Sequence, residues 1–114
     1  TYIIYSPFSI FQSVVPLKFK LPGYIEGHAY HLYVVQVKNR DGLINFLREN
    51  MIFAQVHYIP VHLMPYYQKF GWKKGDFPVV EEYYENCITL PIFPSLKKSE
   101  QKRVVDTINN FYNK

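Results

Sequence analysis

From His28 onward the chain alternates between two hydrophobic periods, and that alternation constrains its fold more than any single residue does. "HAYHLYVVQV" (28–37) is a β-branched and aromatic run, long enough for a strand buried on at least one face. "KNRDG" closes it as a turn. Leu43, Ile44 and Leu47 then mark one face of a helix reaching Asn50, with Asp41 as the expected N-cap. "IFAQVHYI" (52–59) returns to period two, with Phe53, Gln55, His57 and Ile59 expected on one side and Ala54, Val56 and Tyr58 on the other. Pro60 ends that strand, because proline has no N–H to give to a sheet ladder.

The second half continues the pattern. "HLMPYYQKFGWKKGDFP" (62–78) reads as a turn-rich excursion with one helical turn before Gly71. Asp76 is the expected cap of a further helix that tolerates Pro78 in its first turn. Val79, Val80, Tyr83, Tyr84 and Cys87 follow at helical spacing. "CITLPIFP" (87–94) is a third short strand ended by prolines. "KKSEQKRVVDTINNFYNK" makes a terminal helix with Val104, Val105, Ile108, Phe111 and Tyr112 on its buried side. The order β-α-β-α-β-α points to a small sheet with helices packed on one face. Residues 1–27 are less patterned: Pro7, Pro16 and Pro22 interrupt short apolar runs, which fits extended segments or an edge strand better than a helix.

With 114 residues and 48% hydrophobic composition, one compact domain is expected. Eleven Tyr and nine Phe leave two readings open, a wet-edged interface or simply a Tyr-rich core. The net charge of +4 comes from basic residues in runs of no more than two, without alternating aromatics, so no nucleic-acid partner is expected. No stretch approaches the roughly 20 apolar residues of a membrane helix. The apolar start has no basic leader or small-residue cleavage site, so it does not read as a signal peptide. Cys87 stands alone, which excludes an internal disulfide and makes a cytoplasmic setting the default. The first residue is Thr1 rather than Met, which points to further sequence upstream.

Candidate chemistry thins out on inspection. His28, His31, His57 and His62 with Cys87 could in principle ligate a metal, but a structural zinc site uses closely spaced ligand pairs that this chain lacks. Cys87 begins an apolar strand with nothing basic nearby in sequence to make it a nucleophile. Glu81, Glu82 and Glu85 are expected on the solvent face of their helix. The five glycines are isolated, so no phosphate-cradling loop is present. "VHYIPVHLMPYY" (56–67) remains. His57 and Tyr58 offer hydrogen-bonding tips on rigid rings, and Tyr66 and Tyr67 offer stacking faces, beside a strand end where backbone groups are free. On the residues alone, a pocket wall for a polar, ring-containing ligand and an edge strand with ordinary aromatic packing both stay open.

Five blocks then settle into one order: "HAYHLYVVQV", "NRDGLINFLRENMI", "VHYIPVHLMPYYQKFG", "GDFPVVEEYYENCITLPIFPSL" and the helix containing "EQKRVV". Together they resemble the C-terminal part of the DegT/DnrJ/StrS sugar-nucleotide aminotransferases, from about residue 28 to the end. Within that family they look most like the branch that aminates UDP-linked 4-keto-6-deoxy-N-acetylhexosamines in pseudaminic acid biosynthesis. The resemblance implies an α/β (α+β) fold: a small, mostly antiparallel sheet with helices on one face, the C-terminal small domain of a fold-type I aminotransferase. Residues 28–114 would form that domain, and 1–27 a poorly assigned lead-in segment.

The same resemblance implies a pyridoxal 5'-phosphate enzyme that moves an amino group from L-glutamate to a nucleotide-linked keto sugar for surface polysaccharide or glycan biosynthesis, working as a cytoplasmic homodimer. It implies substrate-binding roles for His57, Tyr58, Ile59 and Pro60, with Val61, His62 and Tyr66 as nearby wall. The cofactor lysine of the family's "SxHxxK" loop, its phosphate-binding turn and the aspartate for the pyridine nitrogen have no counterpart here. They lie upstream in the family, on an N-terminal domain that would partner this one. No catalytic, cofactor-binding or metal residue is therefore expected in this chain, and by itself it should be inactive. Lys97 stands where relatives usually cap the terminal helix with Ser or Thr, and Ser99 is an alternative start. The rival reading is a stand-alone, non-catalytic sugar-nucleotide or protein-docking module. A fragment should expose a large apolar, Tyr-rich face, and an independent module should carry charges there.

Overall fold

A computed structural model describes residues 20–23, 25–29 and 31–113; the readings made for residues 1–19 lie outside them. Strand β1 (Tyr33–Gln36) pairs antiparallel with β2 (Cys87–Leu90), in the register Tyr33↔Leu90, Val34↔Thr89, Val35↔Ile88 and Gln36↔Cys87. A single bridge extends the pair on each side, Lys20↔Gln36 beyond β1 and Gln55↔Thr89 beyond β2. The described sheet is therefore small and antiparallel throughout.

Directly opposed residues of an antiparallel ladder share a face. Tyr33, Val35, Ile88 and Leu90 thus form one side, and helices α1 (Arg40–Glu49) and α4 (Lys98–Tyr112) pack on it through Leu43, Leu47, Val104 and Ile108. Leu43 and Leu47 are fully buried, which stabilises the fold by about 1.5–3 kcal/mol each. Ile52 and Ala54 complete this core. Val34, Gln36, Cys87 and Thr89 point to the opposite side, which carries no long helix among the described residues. The expected class, α/β with helices on one face, is what is observed.

Several element details differ from the sequence reading. The first strand shrinks from 28–37 to four residues. The run 52–59 is not a strand: Gln55 alone pairs with β2, although Ile52 and Ala54 do turn inward while Phe53 and Gln55 turn out. The next hydrogen-bonded pair in that register would join Phe53 to Pro91, which has no N–H to donate. Helix α1 is preceded by Asn39 in a left-handed conformation (φ 54°), not capped by Asp41, whose carboxylate instead accepts from Arg40 Nε at 2.6 Å. A short 3-10 turn (Val61–Leu63) and the single-turn α2 (Pro65–Gln68) fill the excursion.

Helix α3 (Pro78–Asn86) is preceded by Phe77 rather than capped by Asp76, whose carboxylate takes the Lys73 N–H at 2.8 Å. Its valine and tyrosine stripe faces outward: Val79 is 83% exposed, and Val80 and Tyr83 are exposed as well. At α4 Lys97 does hold the N-cap position, with the Lys97 N–H donated to Glu100 at 2.8 Å. Lysine has no acceptor to return the bond, so only the glutamate half of a capping box operates.

Candidate functional site

The site segment is launched by the end of α1. Met51 takes a left-handed conformation (φ 61°), Ile52 N–H reaches back to Leu47 O at 2.8 Å and Met51 N–H to Arg48 O at 3.0 Å. That is a Schellman closure with Met in the position glycine usually holds. It drops Ile52 into the core and sends the chain along the outer edge of β2. Gln55 then exchanges both backbone bonds with Thr89, at 2.7 and 3.1 Å.

Two residues later His57 lies on the side of the sheet that Cys87 and Thr89 face. Its Nδ1 is 2.8 Å from Thr89 Oγ1, and its carbonyl receives a long contact of 3.9 Å from Cys87 Sγ. The His57–Tyr58 peptide is cis. The two rings meet edge to face with centroids 4.6 Å apart, His57 half-buried and Tyr58 exposed. Ile59 is also exposed, and Pro60 turns back into the protein.

Beyond Pro60 the chain builds an apolar hollow of about 420 Å³, walled by Pro60, Val61, His62, Tyr67, Trp72, Phe77 and Val80. A second hollow, of about 540 Å³, adjoins it across Phe77 and Val80 and runs along the exposed side of α3 to Tyr83. The expected wall thus divides in two. His57 and Tyr58 form one group with Thr89, while Pro60, Val61 and His62 line the hollow. Tyr66 belongs to neither: it packs against Tyr67 and Phe70, and Lys69 Nζ sits 4.0 Å over its ring, which occupies a face expected to be free for stacking.

His62 and Glu81 hold the hollow's floor. Both are nearly buried, with His62 Nε2 3.2 Å from Glu81 Oε2. The same carboxylate accepts the Gly75 N–H at 2.7 Å and the Phe77 N–H at 3.0 Å. The Gly75 N–H first, outweighing burial, then the Phe77 N–H and His62, hold Glu81 below its ordinary value. The expectation that Glu81 shares a solvent face with Glu82 and Glu85 is therefore corrected. The loop before α3 folds over it, and its bonds anchor that loop.

Cys87 is fully buried, and burial pushes its thiol up, against a weaker opposing pull from Arg40. A basic group does stand near it, contrary to the sequence reading, but Arg40 spends its Nη1 on Tyr84 O and Cys87 O at 2.8 and 2.9 Å. Among the described residues no three His, Cys, Asp or Glu side chains converge as a metal site would require. No described helix is long and apolar enough to cross a membrane.

Thr89 is the residue that sequence reasoning missed. It is a polar side chain within "CITL", a strand buried at every position, and that incongruity was the available signal.

The architecture is the small α/β domain of an aminotransferase. It superimposes on the crystal structure of S. venezuelae DesV in complex with a ketimine intermediate with a TM-score of 0.89, at 26% identity, over 99% of this chain and 32% of that one. The chain belongs to the DegT/DnrJ/EryC1/StrS aminotransferase family, whose profile matches residues 8–109. The spore coat polysaccharide biosynthesis protein SpsC of Bacillus subtilis is 40% identical over 91 residues, covering 73% of this chain and 23% of that protein. A dTDP-3-amino-3,6-dideoxy-α-D-galactopyranose transaminase from Aneurinibacillus thermoaerophilus is 34% identical over 87 residues, covering 75% and 23%. The chain therefore spans about a quarter of the length of these curated relatives.

Proposed function

We propose that this chain is the C-terminal, substrate-side domain, residues 28–114, of a pyridoxal-phosphate-dependent aminotransferase. The parent transfers an amino group from L-glutamate to a UDP-linked 4-keto-6-deoxy sugar during surface polysaccharide or glycan biosynthesis. It works in the cytoplasm as a homodimer. The family match over residues 8–109 carries this reading. The transaminase named among the relatives, which acts on a dTDP-linked sugar, supports the reaction class and makes the nucleotide a point to test.

The residues present do not fit the cofactor. Every described lysine is exposed, and neither apolar hollow is lined by one, whereas a Schiff-base lysine works from a shielded site. In the proposed parent the cofactor is held by the rest of the polypeptide. This domain contributes binding and orientation: His57 and Tyr58 present polar ring edges to the nucleotide sugar, Ile59 and Pro60 fix the segment that carries them, and Val61 and His62 extend the wall, with Tyr66 standing beside it rather than in it. The rival, a free-standing docking module, would place charges where Val79, Val80 and Tyr83 are exposed; their apolar character favours the fragment.

The test uses the full-length parent. With glutamate as donor it should aminate a 4-keto-6-deoxy sugar linked to UDP in preference to the dTDP-linked one, and no amino-sugar product from either would refute the substrate assignment. His57→Ala should lower kcat/KM for the sugar about tenfold, the order expected for one lost ligand hydrogen bond, while cofactor loading stays intact. Unchanged kinetics would remove His57 from the site.

A further inference from the structure

We infer that Thr89 is a positioning residue for the sugar-nucleotide site: its hydroxyl selects the tautomer and orientation of His57, so that the outward Nε2 carries the proton and donates to an oxygen of the substrate. The inference rests on the substrate-side reading of His57 and goes beyond it by fixing which nitrogen acts and what holds it.

The geometry begins with the strand. Cys87 and Thr89 are two apart on β2 and point to the same side of the sheet, opposite Ile88 and Leu90 in the core. His57 takes one contact from each, its carbonyl from Cys87 Sγ and its ring Nδ1 from Thr89 Oγ1. The backbone groups of Thr89 are both committed to Gln55. Thr89 is therefore held by its main chain, and among the described residues the hydrogen-bond partner of its hydroxyl is the imidazole, with the residue as a whole 5% exposed.

The direction of that 2.8 Å bond follows from counting protons. A threonine hydroxyl has one proton and two lone pairs, and a neutral imidazole has one donor and one acceptor nitrogen. If His57 donated, the threonine proton would point into a buried space with no acceptor among the described residues. An unsatisfied buried donor costs more than an unused lone pair. Thr89 therefore donates to Nδ1, and the ring proton resides on Nε2. That nitrogen has no partner among the described residues, and the ring is half-exposed beside Tyr58. A neutral N–H donor on a ring held at its other nitrogen is suited to a phosphate or sugar oxygen.

The experiment compares Thr89→Val, which keeps the shape and removes the hydroxyl, with Thr89→Ser, which restores it, in the full-length enzyme and in a His57→Ala background. Thr89→Val should raise KM for the keto-sugar nucleotide roughly five- to tenfold, the worth of one hydrogen bond, with kcat within about twofold. Thr89→Ser should recover the wild-type value, and in the His57→Ala background Thr89→Val should add nothing. If Thr89→Val fails to fold, Thr89→Ala replaces it in the same cycle. Inhibition by free UDP locates the acceptor: weakened by Thr89→Val, it is an oxygen of the UDP moiety, and unweakened, an oxygen of the keto sugar.

Wild-type kinetics in Thr89→Val, with His57→Ala impaired, would overturn the positioning role and leave the site reading standing. A loss that persists in the His57→Ala background would make Thr89 merely structural. No effect from His57→Ala alone would overturn the site reading and this inference with it.

Discussion

Glu81 is the residue on which the excursion hangs. One carboxylate takes Gly75 N–H, Phe77 N–H and His62 together. Because those partners lower its folded-state value, the unfolded chain binds the proton first as pH drops. The stabilisation is whole above the ordinary glutamate value of 4.5 and is lost as pH falls through the depressed folded value. The melting temperature should therefore fall more steeply between about pH 5 and pH 3 in the wild type than in Glu81→Gln. Parallel curves would show that the carboxylate is not the group being titrated. Nothing local in the sequence announces this role. Glu82 and Glu85 on the same helix are exposed, and what buries Glu81 is a histidine nineteen positions earlier and a loop six positions earlier. Thr89 was hidden in the same way, because its partner His57 lies thirty-two positions away.

Arg40 ties three elements at their ends. From the first turn of α1 it reaches the last turn of α3 and the first residue of β2, donating to carbonyls where a helix terminus is negative. Arg40→Met should cost about 2–4 kcal/mol in denaturant unfolding, since one buried and one part-buried carbonyl lose a charged donor. Arg40→Lys should recover less than half, because a lysine ammonium cannot reproduce the planar fork. A loss below about 0.5 kcal/mol would reduce the contact to surface decoration. Elements of this size were legible wherever local period decides. α3, α4, β1 and β2 all lie within the runs that predicted them, and α1 overlaps its run but starts at Arg40, inside the expected turn. The run 52–59 was misread because alternation reports which residues turn inward, not whether a neighbouring strand offers N–H groups, and Pro91 withholds one. The stripe of α3 had the right spacing, but spacing is silent on which side finds a neighbour.

At the scale of the molecule, the apolar surface is concentrated where the site is. Val61, Tyr66, Phe70 and Val79 are each more than half exposed, on the 3-10 turn, α2 and the loops and helix that follow. A face of this kind associates when left uncovered. The 114-residue chain produced alone should sediment as oligomers whose size rises with concentration. Val61→Lys with Val79→Lys should shift it toward monomer without lowering its melting temperature by more than about 2 °C, since exposed positions carry little folding energy. A monodisperse wild-type chain would contradict this.

The sheet itself has a consequence in time. The nearest paired residues of β1 and β2, Gln36 and Cys87, are separated by fifty-one positions, and both helix α1 and the whole site segment are synthesised between them. At about 5–20 residues per second, a ribosome leaves β1 without its partner for roughly 3–10 s. Helix α1 can form in that interval from local contacts alone. The two strands close when only α4 and the loop before it remain to be made, and the imidazole of His57 waits through thirty-two positions of synthesis for the hydroxyl that orients it.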